Sequence, residues 1–264
     1  MAYETILTET CEGILTLTLN RPHRLNAWTY QMGAELSAAI EQANGDDDID
    51  AIVVTGAGRG FCAGADIEDV FKAQAQNTDV GGHNRVASWV DLVRAAKPIV
   101  AAINGAAIGV GLTQLLPMDH LVASSAAKLS VRFIKMGLVP ELASSHFLAL
   151  RVGFGLMSEL MLTGKTIDAA EALAIGLVDK VVAPEALLPT ARAVAKAMGE
   201  NPRTAVRMVK QLISANASEC DLGLVQQREM EALHACYASP EHKEAINAFL
   251  EKRAPDFKAA RRGA

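Results

Sequence analysis

The amino-acid sequence predicts an α/β protein whose last third is helical, and three observations carry that expectation. Two apolar runs of strand length, Ala51–Thr55 and Ile99–Ile103, each lead into a glycine-rich turn and then a helical pattern. Alternating small polar and apolar residues ahead of them read as a hairpin. After Pro184 only helical periodicity remains. Half of the 264 residues are hydrophobic, enough for a sizeable core.

Taken in order, Thr5–Thr10 and Gly13–Asn20 alternate around a turn at Glu12-Gly13, and Arg21-Pro22 ends the hairpin. Thr29 is placed to cap a helix whose apolar positions Met32, Leu36, Ala39, Ile40 and Ala43 keep helical spacing until Asn44-Gly45. The strand Ala51–Thr55 runs into GAGRGFCAGADI at 56–67, followed by a short helix to about Gln76, a polar lid-like loop over Gln74–Asn84 and a helix to Ala96. The strand Ile99–Ile103 runs into the turn Asn104–Gly111 and another helix. Strands are expected at Leu121–Ala123, Lys128–Val131 and Val178–Val182, and helices at Ser144–Arg151, Phe154–Leu162 and Asp168–Ile175. Helices then fill 184–199, 202–216, 221–237 and 241–252, broken at Pro202 and Pro240. The shift near Pro184 divides the chain into a core over 1–183 and a helical region over 184–264.

Composition excludes several classes. A net charge of −5 argues against nucleic acid as a partner. Cys11, Cys62, Cys220 and Cys236 are scattered without CxxC pairs or nearby histidines, which implies no metal site and suits a reducing cytosol. MAYETILTE has no basic segment followed by an apolar one, so secretion is not expected and the protein is read as cytoplasmic. The uncharged run Pro98–Leu116 approaches membrane-spanning length, but Asn104, Gln114 and three glycines in a strand-then-turn order read as buried strand and helix. No membrane association is expected.

The two strand, glycine-turn, helix units lie about fifty residues apart and each exposes backbone N–H groups at a helix start, suited to an anion or a polarised carbonyl oxygen. Neither has the GxGxxG or GK[ST] spacing of a nucleotide loop. In order, GxGxxFCAGAD, KPIVAAINGAAIGVG, LVPE, ELMLTG and AxxxGLVDxVV resemble the crotonase (enoyl-CoA hydratase/isomerase) superfamily over nearly the whole chain. That resemblance implies a spiral of repeated ββα units with a helical C-terminal trimerisation region, hence a homotrimer or dimer of trimers. It also implies an acyl-CoA thioester substrate and no separate cofactor. By position in the motifs, the amides of Ala65 and Val110 form the oxyanion hole. The CoA moiety is expected against Arg24, Leu25, Ala63, Ala65, Asp66 and Ile67, with Phe249 and Lys252 supplied by a neighbouring subunit.

Hydratases of this superfamily resemble one another in using two glutamates to activate water, but those places hold Thr113 and Phe133 here. Glu141, in GLVPELASS, stands where the superfamily's Δ3,Δ2-enoyl-CoA isomerases resemble each other in having one acidic catalyst. The resemblance therefore implies an enoyl-CoA double-bond isomerase. Hydration, other enolate chemistry such as decarboxylation, thioester hydrolysis or ring-epoxide isomerisation, and a non-catalytic acyl-CoA-binding homologue are the alternatives. Burial among Leu138, Val139 and Leu142 is expected to raise the Glu141 pKa. Asp119, His120 and His146 are expected to be structural, and Cys62 to fill space behind the first turn.

Overall fold

A computed structural model describes residues 3–71 and 88–263. It is mixed α/β with a helical C-terminal region. The chain divides into two compact units, Met1–Ala195 and Lys196–Ala264.

The first unit opens with the expected hairpin, β1 (Ile6–Cys11) and β2 (Ile14–Leu19), paired antiparallel around Glu12 and Gly13, both at positive φ. Helix α1 (Tyr30–Gly45) starts where Thr29 Oγ1 accepts from the Met32 N–H at 3.1 Å, and it buries the five residues read as its apolar face. Strand β3 (Ala51–Gly56) pairs parallel with β2, and β4 (Ile99–Ile103) pairs parallel with β3. Ala51–Thr55 and Ile99–Ile103 are buried throughout, as uninterrupted apolar runs in a parallel sheet demand. Strands β6 (His120–Ser124) and β9 (Lys180–Val182) complete a six-stranded sheet in the order β1-β2-β3-β4-β6-β9.

A second sheet comes from residues that the sequence reads as turn. Ala106–Ile108, inside the expected glycine loop, forms β5, parallel to β7 (Lys128–Ser130); β8 (Ile167–Asp168) closes that sheet antiparallel to β7. The chain thus crosses from the large sheet to the small one twice in succession, β4 to β5 and β6 to β7. The isolated pairing of Cys62 with Ala107 marks the equivalent crossing after β3. Each crossing ends in a short helical element: a π-helical turn at Ile67–Phe71, α3 (Val110–Thr113) and a 3₁₀ segment at Arg132–Met136.

Helix α2 (Trp89–Ala95) is the described end of the helix expected up to Ala96; the lid-like loop and the segment to Gln76 lie outside the described residues beyond Phe71. Helix α4 (Ser144–Thr163) is interrupted at Gly153 (φ 76°), which is why its sequence reads as two helices. Asp168 caps α5 (Ala169–Ala174) through the Glu171 N–H at 2.9 Å.

The contact division falls after Ala195, later than Pro184. Helix α6 (Leu187–Gly199) buries Leu187, Ala191 and Ala195, so its apolar stripe belongs to the first unit. The second unit holds α7 (Arg203–Asn216), α8 (Leu222–Tyr237), α9 (Pro240–Glu251) and α10 (Phe257–Arg262). Its anchor is Glu241, fully buried. The carboxylate accepts from the N–H groups of Arg203 (2.8 Å) and Thr204 (2.9 Å) at the start of α7, and from Arg261 Nη1 at 2.7 Å. No described helix is long and apolar enough to cross a membrane.

Candidate active site

The two glycine turns meet through their backbones. Cys62 N–H donates to Ala106 O (2.8 Å) and Ile108 N–H donates to Cys62 O (2.9 Å), so the first turn lies along β5. On its other side Trp28 N–H donates to Gly64 O, and Asp66 N–H donates to Trp28 O, both at 2.8 Å. That pairing turns the Ala65 N–H the opposite way. Gly109, at φ 56°, reverses the chain ahead of α3 and leaves the Val110 N–H at the first helical position, where no intrahelical acceptor exists. Neither the Ala65 nor the Val110 N–H donates to an acceptor among the described residues. Gly111 permits this approach, because a Cβ there would stand 2.3 Å from Cys62 O.

Ala65 and Val110 both line a chamber of about 800 Å³. Its walls are mostly apolar, and both tryptophans of the chain, Trp28 and Trp89, line it with Tyr30 and Phe133. Phe133 sits beside the second turn, its Cε2 and Cζ 4.0 Å from where a Gly109 side chain would begin. The Trp89 indole is held by Nε1 donating to Gln114 O at 2.9 Å.

Glu141 is the carboxylate among the chamber's described lining residues. The buried Thr113 hydroxyl donates to its Oε1 at 3.0 Å, while the alternative acceptor, Gly109 O, is 3.4 Å away. Glu141 lines the chamber and keeps much of its surface accessible. Burial by the chamber walls pushes its carboxyl above the usual range, and the Thr113 hydrogen bond partly offsets that rise. The upward direction was expected, but its surroundings differ from expectation: Val139 is 81% exposed and does not line the chamber, whereas Leu138, Leu142 and Met136 do. Leu142 and Ala143, directly after Glu141, both sit in the left-handed region at φ 58° and 52°. Each costs about 1–2 kcal/mol for a residue with a Cβ. Strain of this kind collects where a side chain must be held in place.

The other residues singled out from sequence are distributed as follows. Ala63, Ala65 and Ile67 line the chamber; Arg24, Leu25 and Asp66 do not. Arg24 pairs with Glu68 at 2.9 Å with both side chains exposed. Asp66 is buried and engaged structurally. It accepts from Arg21 Nη2 at 2.9 Å and from the Glu68 N–H at 3.0 Å. Burial pushes its carboxyl up, but Arg21 and these amides outweigh that and hold it below the usual range. Phe249 and Lys252 belong to the second unit, Phe249 on the exposed face of α9 and Lys252 at its end.

Asp119 is structural, accepting from the Ile99 N–H at 2.8 Å and from Arg94 at 3.2 Å. His120 lies 3.6 Å from Asp179. His146 is exposed rather than in the core, with its ring edge-on to Phe147, because it falls on the outward side of α4. Cys62 is fully buried, and burial pushes its thiol up to about 11, so it acts as filler.

Sequence reasoning missed the Thr113–Glu141 contact, which joins residues 28 positions apart. It also missed Asn26, whose buried side chain donates to the carbonyls of Ala57 and Gly60, both at 2.9 Å, and ties the RPHRLNA segment to the first turn. The positive φ of Leu25 and Asn26 left no pattern in the sequence.

Two amides without an acceptor and one carboxylate thus come together among the described lining residues of the chamber. Known proteins share the fold that gathers them. The family model described as "Enoyl-CoA hydratase/isomerase" matches residues 9–260. A probable enoyl-CoA hydratase of Mycobacterium leprae is 37% identical over 97% of this chain and 99% of its own. The 1,2-epoxyphenylacetyl-CoA isomerase of Escherichia coli is 35% identical, covering 96% and 98%. Among solved structures, the enoyl-CoA hydratase from Bacillus anthracis superposes with a TM-score of 0.87 at 29% identity, covering 97% of this chain and 99% of that one. The chain belongs to the enoyl-CoA hydratase/isomerase family of the crotonase superfamily.

Proposed function

We propose that this protein is an acyl-CoA isomerase that moves the double bond of a 3-enoyl thioester to the 2-position through an enolate. The observation that carries the reading is Glu141, one carboxylate in the chamber, with Thr113 and Phe133 at the places where a hydratase of the family resembles its relatives in carrying glutamates. The ionised Glu141 takes a proton from C2, and the electron pair moves into the thioester carbonyl. The N–H groups of Ala65 and Val110 receive the developing oxyanion. The protonated Glu141 then returns the proton at C4, and the double bond re-forms between C2 and C3. No water is consumed, and no cofactor is needed, since CoA arrives with the substrate. A raised pKa suits both halves of the cycle, because the group must release what it takes.

The test offers the purified protein a 3-enoyl-CoA and a 2-enoyl-CoA. Isomerisation of the first, lost in Glu141→Gln, is expected. Hydration without isomerisation, or full isomerase activity in the variant, would overturn the proposal. The same reading makes the protein a homotrimer or dimer of trimers in which Phe249 and Lys252 reach a neighbour's CoA. The exposed apolar side chains of Phe154 on α4 and of Phe249 and Leu250 on α9 support it. Light scattering that reads a monomer at micromolar concentration would refute it.

A further inference from the structure

Gln114 follows α3 directly and lines the chamber, yet its side chain makes no hydrogen bond to a described residue. Its backbone is fully used: the N–H donates to Val110 O at 3.1 Å and the carbonyl accepts from Trp89 Nε1 at 2.9 Å. The carboxamide is different. The residue is only 3% exposed, and its Nε2 is enclosed without a hydrogen-bond acceptor. A buried amide donor left unmet costs about 1–3 kcal/mol, and a leucine would fill the same volume without that cost.

The other enclosed, unmatched polar atoms on side chains of the described residues are placed differently. Asn104 uses its amide nitrogen on the carbonyls of Gly58 and Gly60, and neither it, His120 nor Ser144 lines the chamber. Gln114 is therefore an unmatched buried donor in the wall of the acyl site, one residue beyond the hydroxyl that holds Glu141. The last torsion of a glutamine is soft, so the amide turns toward an acceptor at the wall at little cost.

We infer that Gln114 is a specificity residue and that the acyl group this chamber takes carries a neutral oxygen acceptor beyond the thioester, such as a hydroxyl, ether or epoxide oxygen. A plain hydrocarbon chain leaves the Gln114 amide unmet. An oxygen at the right carbon satisfies it, and sites that hydrogen-bond a substrate oxygen discriminate strongly against the analogue lacking it. The aromatic walls of Trp28, Trp89 and Phe133 accommodate the remaining apolar surface of such a group.

This inference rests on the acyl-CoA reading of the chamber, and the test separates the two. Calorimetry measures the affinity of hexanoyl-CoA and of its monohydroxy derivatives along the chain, on the wild type and on Gln114→Leu, with thermal melts to verify folding. At least one hydroxy derivative is expected to bind the wild type about tenfold more tightly than hexanoyl-CoA, the size of one satisfied buried hydrogen bond. That ratio is expected to collapse toward unity in the variant, and Gln114→Met serves if the leucine variant does not fold. Equal affinities for all derivatives on the wild type, or a preference that survives in the variant, would overturn the inference while leaving the acyl-CoA reading intact. Failure of every thioester to bind would overturn both.

Discussion

Replacing Gly111 by alanine tests whether the paired amides are the working part of the site. The substitution is favourable for the helix itself, since alanine has the higher intrinsic propensity by about 1 kcal/mol. Any loss must therefore come from space. A Cβ at 111 would meet Cys62 O at 2.3 Å, about 1 Å short of ordinary contact, and Cys62 Cβ at 2.9 Å. The atoms it meets cannot yield alone, because Cys62 is bonded through both its N–H and its carbonyl to the strand Ala106–Ile108. The two turns must separate by a comparable distance, carrying the Val110 N–H away from the Ala65 N–H. A misplacement of about 1 Å costs about a hundredfold in rate, and overpacking costs about 1–3 kcal/mol of stability. The assay is kcat and KM for a 3-enoyl-CoA alongside a thermal melt, with Gly155→Ala, where a Cβ meets nothing within 4 Å, as control. An unchanged kcat in folded Gly111→Ala would refute the oxyanion-hole assignment.

Two further outcomes follow from charges held in place. Thr113→Val removes the hydrogen bond that lowers the Glu141 pKa and leaves the burial that raises it. In the proposed reaction the ionised Glu141 is the base, so the acid limb of the kcat profile is expected to move to higher pH in this variant and return in Thr113→Ser; an unmoved limb refutes the pairing. Asp66→Asn breaks the buried pair with Arg21 and is expected to cost about 3 kcal/mol in denaturant unfolding at neutral pH. Because the folded pKa of Asp66 is depressed, its contribution is present above the ordinary value of 3.8 and is lost as pH falls through the folded one. The gap between wild type and variant must therefore narrow in acid, and a gap that widens refutes the ion pair as its source.

What was legible in the sequence follows from what has a period or a motif. The buried strands Ala51–Gly56 and Ile99–Ile103 and the five-residue apolar face of Tyr30–Gly45 are read correctly because each repeats on a local rule. Strand Ala106–Ile108 was hidden because three residues between glycines carry no period, and only its long-range partner Lys128–Ser130 makes it a strand. Ala65 and Val110 are picked out by motif alone, whereas their lack of an acceptor among the described residues is a tertiary fact. Asp66 reads as a nucleotide-end ligand in sequence, while the fold uses it on Arg21, which sits 45 positions earlier where no local pattern links them.

The arrangement around Glu141 bears on the choice between the proposed isomerase and a non-catalytic acyl-CoA-binding homologue. Directly after Glu141, two successive non-glycine residues, Leu142 and Ala143, hold the left-handed region at about 1–2 kcal/mol each, strain of a kind that clusters at functional sites. Beside it, the Glu141 carboxylate lies 3.0 Å from the Thr113 hydroxyl. A threonine there cannot activate water, but it can donate, and donation to Oε1 leaves Oε2 without a bond to any described residue. Phe133 removes the other polar group and puts an aromatic ring beside the oxyanion turn. In the proposed isomerisation, the Oε1 atom held by Thr113 fixes the carboxylate, and Oε2, which no described residue bonds, is the oxygen that would carry a proton from C2 to C4.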